Sequence, residues 1–382
     1  MKLSHISHHW QTVALETPRI WRRLIINLAF NSERKKKNFQ EIWDTLRARI
    51  KSVPADIEIR SVGRKDSIPL DNCKLSEIPK FSRLCLELRG ERAEEEMLQL
   101  SLHTKPLVKC LKFYMDNTSF RWDFGPILSH FPPAESLSFA GRGQVYFTGT
   151  QIYPTVKHIV ADNDAVDFGA AFAAFPNLCS IKGHDIESQY TGPPLILPNL
   201  KHITISKLKS PSWLCSISCP NLIELDASAS GVEDEFIDFV LSHSSIMILR
   251  CPNVEEFERL VLGATQIQHL TVPEILLYRK RSSFEFPHFP ELLSLTINDN
   301  EDSLMLEEFE SLVCDRCLPV GHPRSQLPPN ARPLESLTIT CSDFVRYTDE
   351  SQEWKRGELY DEARKTADRE YFEERVCLRW VS

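Results

Sequence analysis

The sequence is short of several things, and each shortage removes a class of function. Glycine supplies only 13 of 382 residues, too few and too scattered for the Gly-rich loops that bring backbone N–H groups against phosphates. Positive charge is not in excess: 45 Lys and Arg face 53 Asp and Glu, a formal net charge of −8. A general basic surface for nucleic acid is therefore not expected. No apolar run approaches the roughly 20 residues that cross a bilayer; the longest cover 24–30 and 168–175. The opening MKLSHISHHW holds no apolar stretch of signal-peptide type. The 11 cysteines lie mostly singly inside hydrophobic patterns, as Cys85 in LCLEL and Cys179 in NLCSI, and read as buried thiols rather than a disulfide framework. These absences together place the chain in the cell interior, cytoplasmic or nuclear, with no membrane and no nucleic acid among its partners.

Catalytic signatures are missing as well. There is no phosphate-binding loop, no G-x-S-x-G elbow, no H-E-x-x-H and no kinase set. Clustered acids such as Glu94, Glu95 and Glu96 fall on expected solvent faces, where acid–base chemistry has no desolvated pocket. Cys314-x-x-Cys317 with His322 has a zinc-like spacing, but no second ligand pair accompanies it. His5, His8 and His9 share one polar helix side without a thiolate or carboxylate nearby. The reading is therefore a non-enzyme with no catalytic residue, no cofactor and no metal.

What the sequence does have is a repeated phrase. Two spaced apolar positions follow a Pro or polar residue, and an apolar-x-apolar pair comes next. The clear copies are PNLCSIKG (Leu178, Ile181), PNLKHITI (Leu200, Ile203, Ile205), PNLIELDA (Leu222, Leu225, Ala227), IQHLTV (Ile267, Leu270, Val272), PELLSLTI (Leu292, Leu295, Ile297) and PLESLTI (Leu334, Leu337, Ile339). Weaker copies are FSRLCLEL (Phe81, Leu84, Leu86), VKCLKF (Val108, Leu111, Phe113), AESLSF (Ala134, Leu137, Phe139) and VKHIVA (Val156, Ile159, Ala161). The middle apolar residue falls at 84, 111, 137, 159, 181, 203 and 225, giving spacings of 27, 26, 22, 22, 22 and 22. Ile246-x-x-Leu249-x-Cys251 continues the series, with Glu255 to Leu262 as its helix, although CPNVEEF (Val254, Phe257) imitates another strand start. Between Leu295 and Leu337 the spacing implies one insertion or one lost copy.

The apolar-x-apolar pair is the period-2 pattern of a short strand with one buried face. A single such unit cannot cover its own apolar side, so neighbouring units must stack, which places the strands in one parallel sheet. A period of about 20–29 residues with L-x-x-L-x-L resembles the leucine-rich repeat. The resemblance implies an α/β fold, a solenoid whose short strands form a curved parallel sheet. The family's Asn, three residues beyond the last strand position, is met by Asn300 but replaced by Ile186, Leu208 and Ile275 elsewhere, so the turns must be satisfied by other means.

Residues 3–21 read LSHISHHWQTVALETPRIW. Leu3, Ile6, Trp10, Val13 and Ala14 line one helical face. Thr17-Pro18 stops the helix, and Ile20 and Trp21 follow. This order resembles the C-terminal half of the F-box, closest to fungal F-box proteins that carry irregular leucine-rich repeats. The Leu-Pro turn and first helix that open the motif do not precede Leu3. The resemblance implies that Leu3, Ile6, Trp10, Val13, Pro18 and Trp21 meet a Skp-type adaptor of a cullin–RING ubiquitin ligase (an SCF complex). The chain would then serve as its substrate-recognition subunit. A free-standing repeat scaffold without ligase attachment is the alternative.

The expected organisation is an F-box-like segment over 1–30, an amphipathic linker helix over 31–52, repeats over 53–341 and a charged cap over 342–382. In the linker, Phe39, Ile42, Trp43, Leu46 and Ile50 lie at helical spacing and are expected to face the first repeat. DIEIRSVG reads as the capping strand at one end, and Tyr347 to Arg375 as a closing helix or a charged tail at the other. Strand residues that alternate with the buried ones form the expected target surface: Lys182, His202, Thr204, Glu224, Asp226, Arg250, His269 and Thr271, followed by Thr296 and Thr338. This mixed polar strip suits a protein target better than a small apolar ligand.

Overall fold

The computed structural model describes residues 17, 23–29, 33–50, 55–64, 67–73, 75, 81–89, 108–115, 121–129, 131–141, 144–147, 151–161, 172–185, 194–207, 211–227, 231–232, 234–251, 253–254, 259–260, 263–273, 289–298, 304–305, 316–317, 332–341, 344–345 and 376–380. The chain divides into two units, Met1–Tyr190 and Thr191–Ser382. Each is α/β, built on a parallel sheet of short strands.

In the first unit, β1 (Arg23–Asn27), β2 (Ala55–Val62), β3 (Phe81–Arg89), β4 (Val108–Met115), β6 (Ser136–Gly141), β8 (His158–Ala161) and β9 (Ser180–Asp185) lie side by side in that order. A separate parallel pair, β5 (Arg121–Asp123) with β7 (Gln144–Tyr146), joins the segments that return the chain between strands. The same plan holds in the second unit, in the order β11 (His202–Lys207), β13 (Glu224–Asp226), β15 (Ile248–Arg250), β17 (His269–Pro273), β18 (Ser294–Asn298), β20 (Ser336–Cys341) and β22 (Val376–Trp380). Its return segments pair as β10 (Leu195–Ile196) with β12 (Ile217–Ser218), β14 (Gly231–Val232) with β16 (Asn253–Val254), and β19 (Leu304–Met305) with β21 (Phe344–Val345). The longer α-helices among the described residues are α1 (Glu33–Ile50), α2 (Phe124–Ser129) and α3 (Asp234–Ser242).

The repeat spacing translates directly into strand register. In the first unit Leu111, Leu137, Ile159 and Ile181 stand opposite one another on successive strands. In the second, Ile203, Leu225, Leu249, Leu270, Leu295 and Leu337 do the same. All ten are essentially buried. Full burial of each Leu or Ile side chain contributes about 1.5–3 kcal/mol relative to exposure. Leu249 supports Ile246-x-x-Leu249 as the strand unit, while the imitating Asn253–Val254 forms one of the small return pairs.

A second device joins successive repeats at their strand entrances, where one carbonyl accepts two consecutive N–H groups from the next repeat. Lys157 O takes Cys179 N–H and Ser180 N–H at 2.7 and 3.0 Å, and Lys201 O takes Ile223 and Glu224 N–H at 2.9 and 3.0 Å. The pattern continues through Ile223 O, Met247 O, Gln268 O and Leu293 O. Side chains reinforce it: Asn177 Nδ2 donates to Pro154 O and Asn221 Nδ2 to Pro198 O. The Asn of the Pro-Asn-Leu phrase thus ties neighbouring repeats at the strand entrance, whereas Ile186, Leu208, Ile275 and Asn300 lie outside the described residues.

Aromatic rings fill the first unit behind the sheet. Phe113 and Phe139 stack with centroids 5.5 Å apart, and Phe124 meets both edge-on at 4.1 and 5.1 Å. Phe147 carries the edge-on contacts on to Phe175. In the second unit, α3 buries Phe236, Ile237, Phe239 and Val240. The linker helix appears as expected from Glu33 to Ile50, with Phe39, Trp43 and Leu46 buried. Trp43 Nε1 donates to Cys73 O at 2.5 Å. Ile42, expected on the same face, is 46% exposed, because it lies one position off the stripe that the other three define.

The sheets reach beyond 53–341. Residues 23–27, within the expected F-box-like segment, form β1, and DIEIRSVG (β2) pairs on both sides rather than capping the sheet. At the far end Val376–Trp380 adds β22 against β20. Register at β3 also departs from the sequence alignment: Leu86, not Leu84, stands opposite Leu111. Irregularities at Ile59/Val62 and Leu84/Cys85 shift the pairing. Ser61, at the first of these, takes a left-handed φ of 64°, the conformation that inserts an extra residue into a strand. Finally, β18 pairs directly with β20, Leu295 opposite Leu337. The long spacing there is an insertion in one unit and not a missing strand.

Candidate interaction surface

In a half-buried strand the side chains between core residues must face away from the core. In the second unit this arithmetic assembles two rows. The first runs His202, Glu224, Ile248, His269 and the second Thr204, Asp226, Arg250, Thr271 across β11, β13, β15 and β17. Seven of the eight expected target-surface residues therefore share one sheet within one unit. Lys182, exposed on β9, belongs to the other unit. Ile248 interrupts the first row, a residue the sequence reading passed over. The rows continue through Ser294 and Ser336, whose hydroxyls lie 3.1 Å apart, and through Thr296 and Thr338.

Neighbours in a row interact across strands. His202 Nδ1 lies 3.1 Å from Glu224 Oε2, with both side chains open to solvent on one side. Arg250 Nη1 donates to Asp226 Oδ2 at 2.7 Å. Asp226 is not the exposed contact its place in the alternation implied. Its residue is 6% exposed, because the Arg250 side chain folds over the carboxylate and leaves its own guanidinium half open to solvent. Arg250 is thus the group a partner meets there.

The first unit carries a denser charge lattice that the sequence reading missed. Glu58 Oε1 accepts Arg60 Nε at 2.9 Å and Lys112 Nζ at 3.2 Å. Glu87 accepts Arg89 at 2.7 Å and lies 3.8 Å from Arg60. The signal was present as two Glu-x-Arg triplets, Glu58-Ile59-Arg60 and Glu87-Leu88-Arg89, each presenting both charges on the outer face of its strand. Burial by itself would raise the Glu58 carboxyl, but the bonds from Arg60 and Lys112 outweigh it and hold the group below its ordinary value. A cavity of about 250 Å³ opens beside this lattice, with Arg23, Asp56, Glu58, Cys85 and Lys112 among its walls. The Cys85 thiol is pushed far above its ordinary value, first by its hydrogen bond with Cys110 and then by burial.

Leu3, Ile6, Trp10, Val13, Pro18 and Trp21, the residues expected to meet an adaptor, lie outside the described residues, as do Cys314 and His322. Cys317 is buried. Among the described residues no group of three or more His, Cys, Asp and Glu is placed to hold a metal ion. No described helix is long and apolar enough to cross a membrane. No family model matches the chain, and no curated protein matches it significantly.

Proposed function

We propose that the chain is a non-enzymatic, intracellular protein-binding subunit: a leucine-rich-repeat solenoid that holds a protein target on the polar face of its strands. The observation that carries this reading is the pair of registered rows in the second unit. There Glu224, Arg250, His269 and Thr271 offer donors, acceptors and both charge signs on a rigid backbone. Rigid, mixed polar surfaces of this kind give specificity through complementarity with a second protein. The N-terminal likeness to the F-box adds the direction of the function. Residues 3–21 would dock on a Skp-type adaptor while the strands hold the target. The chain would then act by proximity, leaving ubiquitin transfer to separate enzymes.

Co-expression of the tagged full chain with a Skp-type adaptor tests the assignment. Stable co-elution at micromolar protein, lost in Trp10→Ala and Trp21→Ala variants, is the expected result. Absence of any association would leave the chain a free-standing repeat scaffold.

A further inference from the structure

The cavity beside β1 to β4 has a chemistry that the protein-binding rows do not share. Its volume of about 250 Å³ lies below the roughly 300–1,000 Å³ of sites for drug-sized ligands. Arg23, on β1, enters no ion pair or hydrogen bond with the described residues, and its side chain is exposed. Glu58, on β2, spends Oε1 on both of its cationic partners. Its Oε2 accepts nothing from the described residues, although the carboxylate is only 14% exposed. The walls therefore present one unmatched guanidinium and one unmatched carboxylate oxygen. Cys85, protonated and buried against Cys110, supplies an uncharged wall between β2 and β4.

Each simpler ligand leaves one of these groups unanswered. An anion that pairs with Arg23 also meets the carboxylates of Glu58 and Asp56. A cation that pairs with Glu58 meets Arg23 and Lys112. Only a molecule carrying both charges a few bonds apart matches the lining, since charge-assisted hydrogen bonds gain most where both partners leave water. We propose that this cavity binds a free α-amino acid, its carboxylate on the Arg23 guanidinium and its ammonium on Glu58 Oε2. An internal peptide segment has no such paired termini, so the ligand is a small molecule separate from any protein target on the strand rows.

Calorimetric titration of the purified full chain with the common L-amino acids tests the assignment. Each is titrated beside its C-terminal amide and its N-acetyl form. The expected result is saturable binding of at least one amino acid. Both blocked forms should bind at least about tenfold more weakly, the loss of one charge-assisted bond. Arg23→Gln and Glu58→Gln should each weaken the free amino acid by a similar factor, whereas Ile152→Ala, at an exposed position away from the cavity, should not. Absence of saturable binding by every amino acid overturns the proposal. So does equal binding of a blocked form, a comparison that needs only the unaltered chain, or full affinity in both cavity variants.

Discussion

Asn221 donates its side-chain amide to the carbonyl oxygen of Pro198 at 2.8 Å, tying one strand entrance to the entrance of the repeat before. Asn177 makes the equivalent bond to Pro154 at 2.9 Å. The proline contributes more than a turn here. It has no N–H of its own, and its carbonyl becomes the fixed acceptor for the next unit's amide. The Pro-Asn-Leu phrase is therefore one joint: the Asn links neighbours, and the Leu fills the core beneath.

Replacing Asn221 by Ala is expected to cost about 0.5–1.5 kcal/mol, the net worth of one intramolecular hydrogen bond. Asn221→Asp should lose as much, because a carboxylate cannot donate. Urea denaturation of the two variants against the unaltered chain reads the difference. A cost near zero in both would mean that water replaces the joint without penalty.

Core and face positions of the same strands should separate cleanly. Leu225→Ala empties a fully buried site and is expected to cost about 2–5 kcal/mol. Lys182→Ala, on an exposed position, should stay within about 0.5 kcal/mol. The measurement is the shift in the midpoint of thermal or urea unfolding.

His243 sets a pH dependence. Its Nε2 accepts the Cys219 N–H at 3.0 Å, while Nδ1 lies 2.7 Å from Phe239 O, so the ring is held neutral with both nitrogens used. Burial lowers its pKa below the ordinary 6.5, although the Phe239 carbonyl opposes the shift. The unfolded chain therefore takes up a proton first as pH falls. Stability should be full above about pH 6.5 and should decline as pH drops below it toward the folded-state value. Melting temperatures recorded between pH 7.5 and about 5 should show that decline, and His243→Asn should flatten it.

The Arg250–Asp226 pair should behave as a coupled unit. Arg250→Ala strips the cover from a carboxylate that the fold keeps from water, at an expected cost of about 1–3 kcal/mol. Adding Asp226→Ala to it should cost less than the two single changes combined. A double-mutant cycle on unfolding free energy measures the coupling. Strict additivity would show that the contact contributes nothing.

Thiol reactivity offers a check on the packing. Cys215 is exposed, whereas Cys73, Cys85, Cys110, Cys219, Cys251 and Cys317 are buried. Burial also pushes the Cys219 thiol up to about 12, so little thiolate forms at neutral pH. Mass-mapped alkylation of the folded chain should modify Cys215 well before any of these six, which should react only on unfolding.

The strands from Leu111 to Ile181 and from Ile203 to Leu337 were legible in the sequence, because a buried Leu or Ile must recur once per unit for units to cover one another. The face residues followed from alternation alone. Alternation says which way a side chain leaves the sheet, but not what lies over it, so the shielding of Asp226 by Arg250 was not foreseeable. The alignment slipped at Leu84 because FSRLCLELR carries Leu at 84, 86 and 88, and alternation alone does not say which of the three stands opposite Leu111. β22 was hidden because VCLRW sits behind a densely charged stretch that drew the reading toward a cap. The cavity drew no notice because its walls come from four strands, each contributing one or two unremarkable polar residues.

From Leu270 to Leu295 the chain travels 25 residues, and from Leu295 to Leu337 it travels 42, yet both journeys end in the same strand alignment. Length is thus free between one strand and the next and fixed where strand meets strand. Spacings of 25 and 42 residues are both compatible with one strand register. A lineage of such chains would be expected to diverge in its excursions while keeping the lattice itself unchanged.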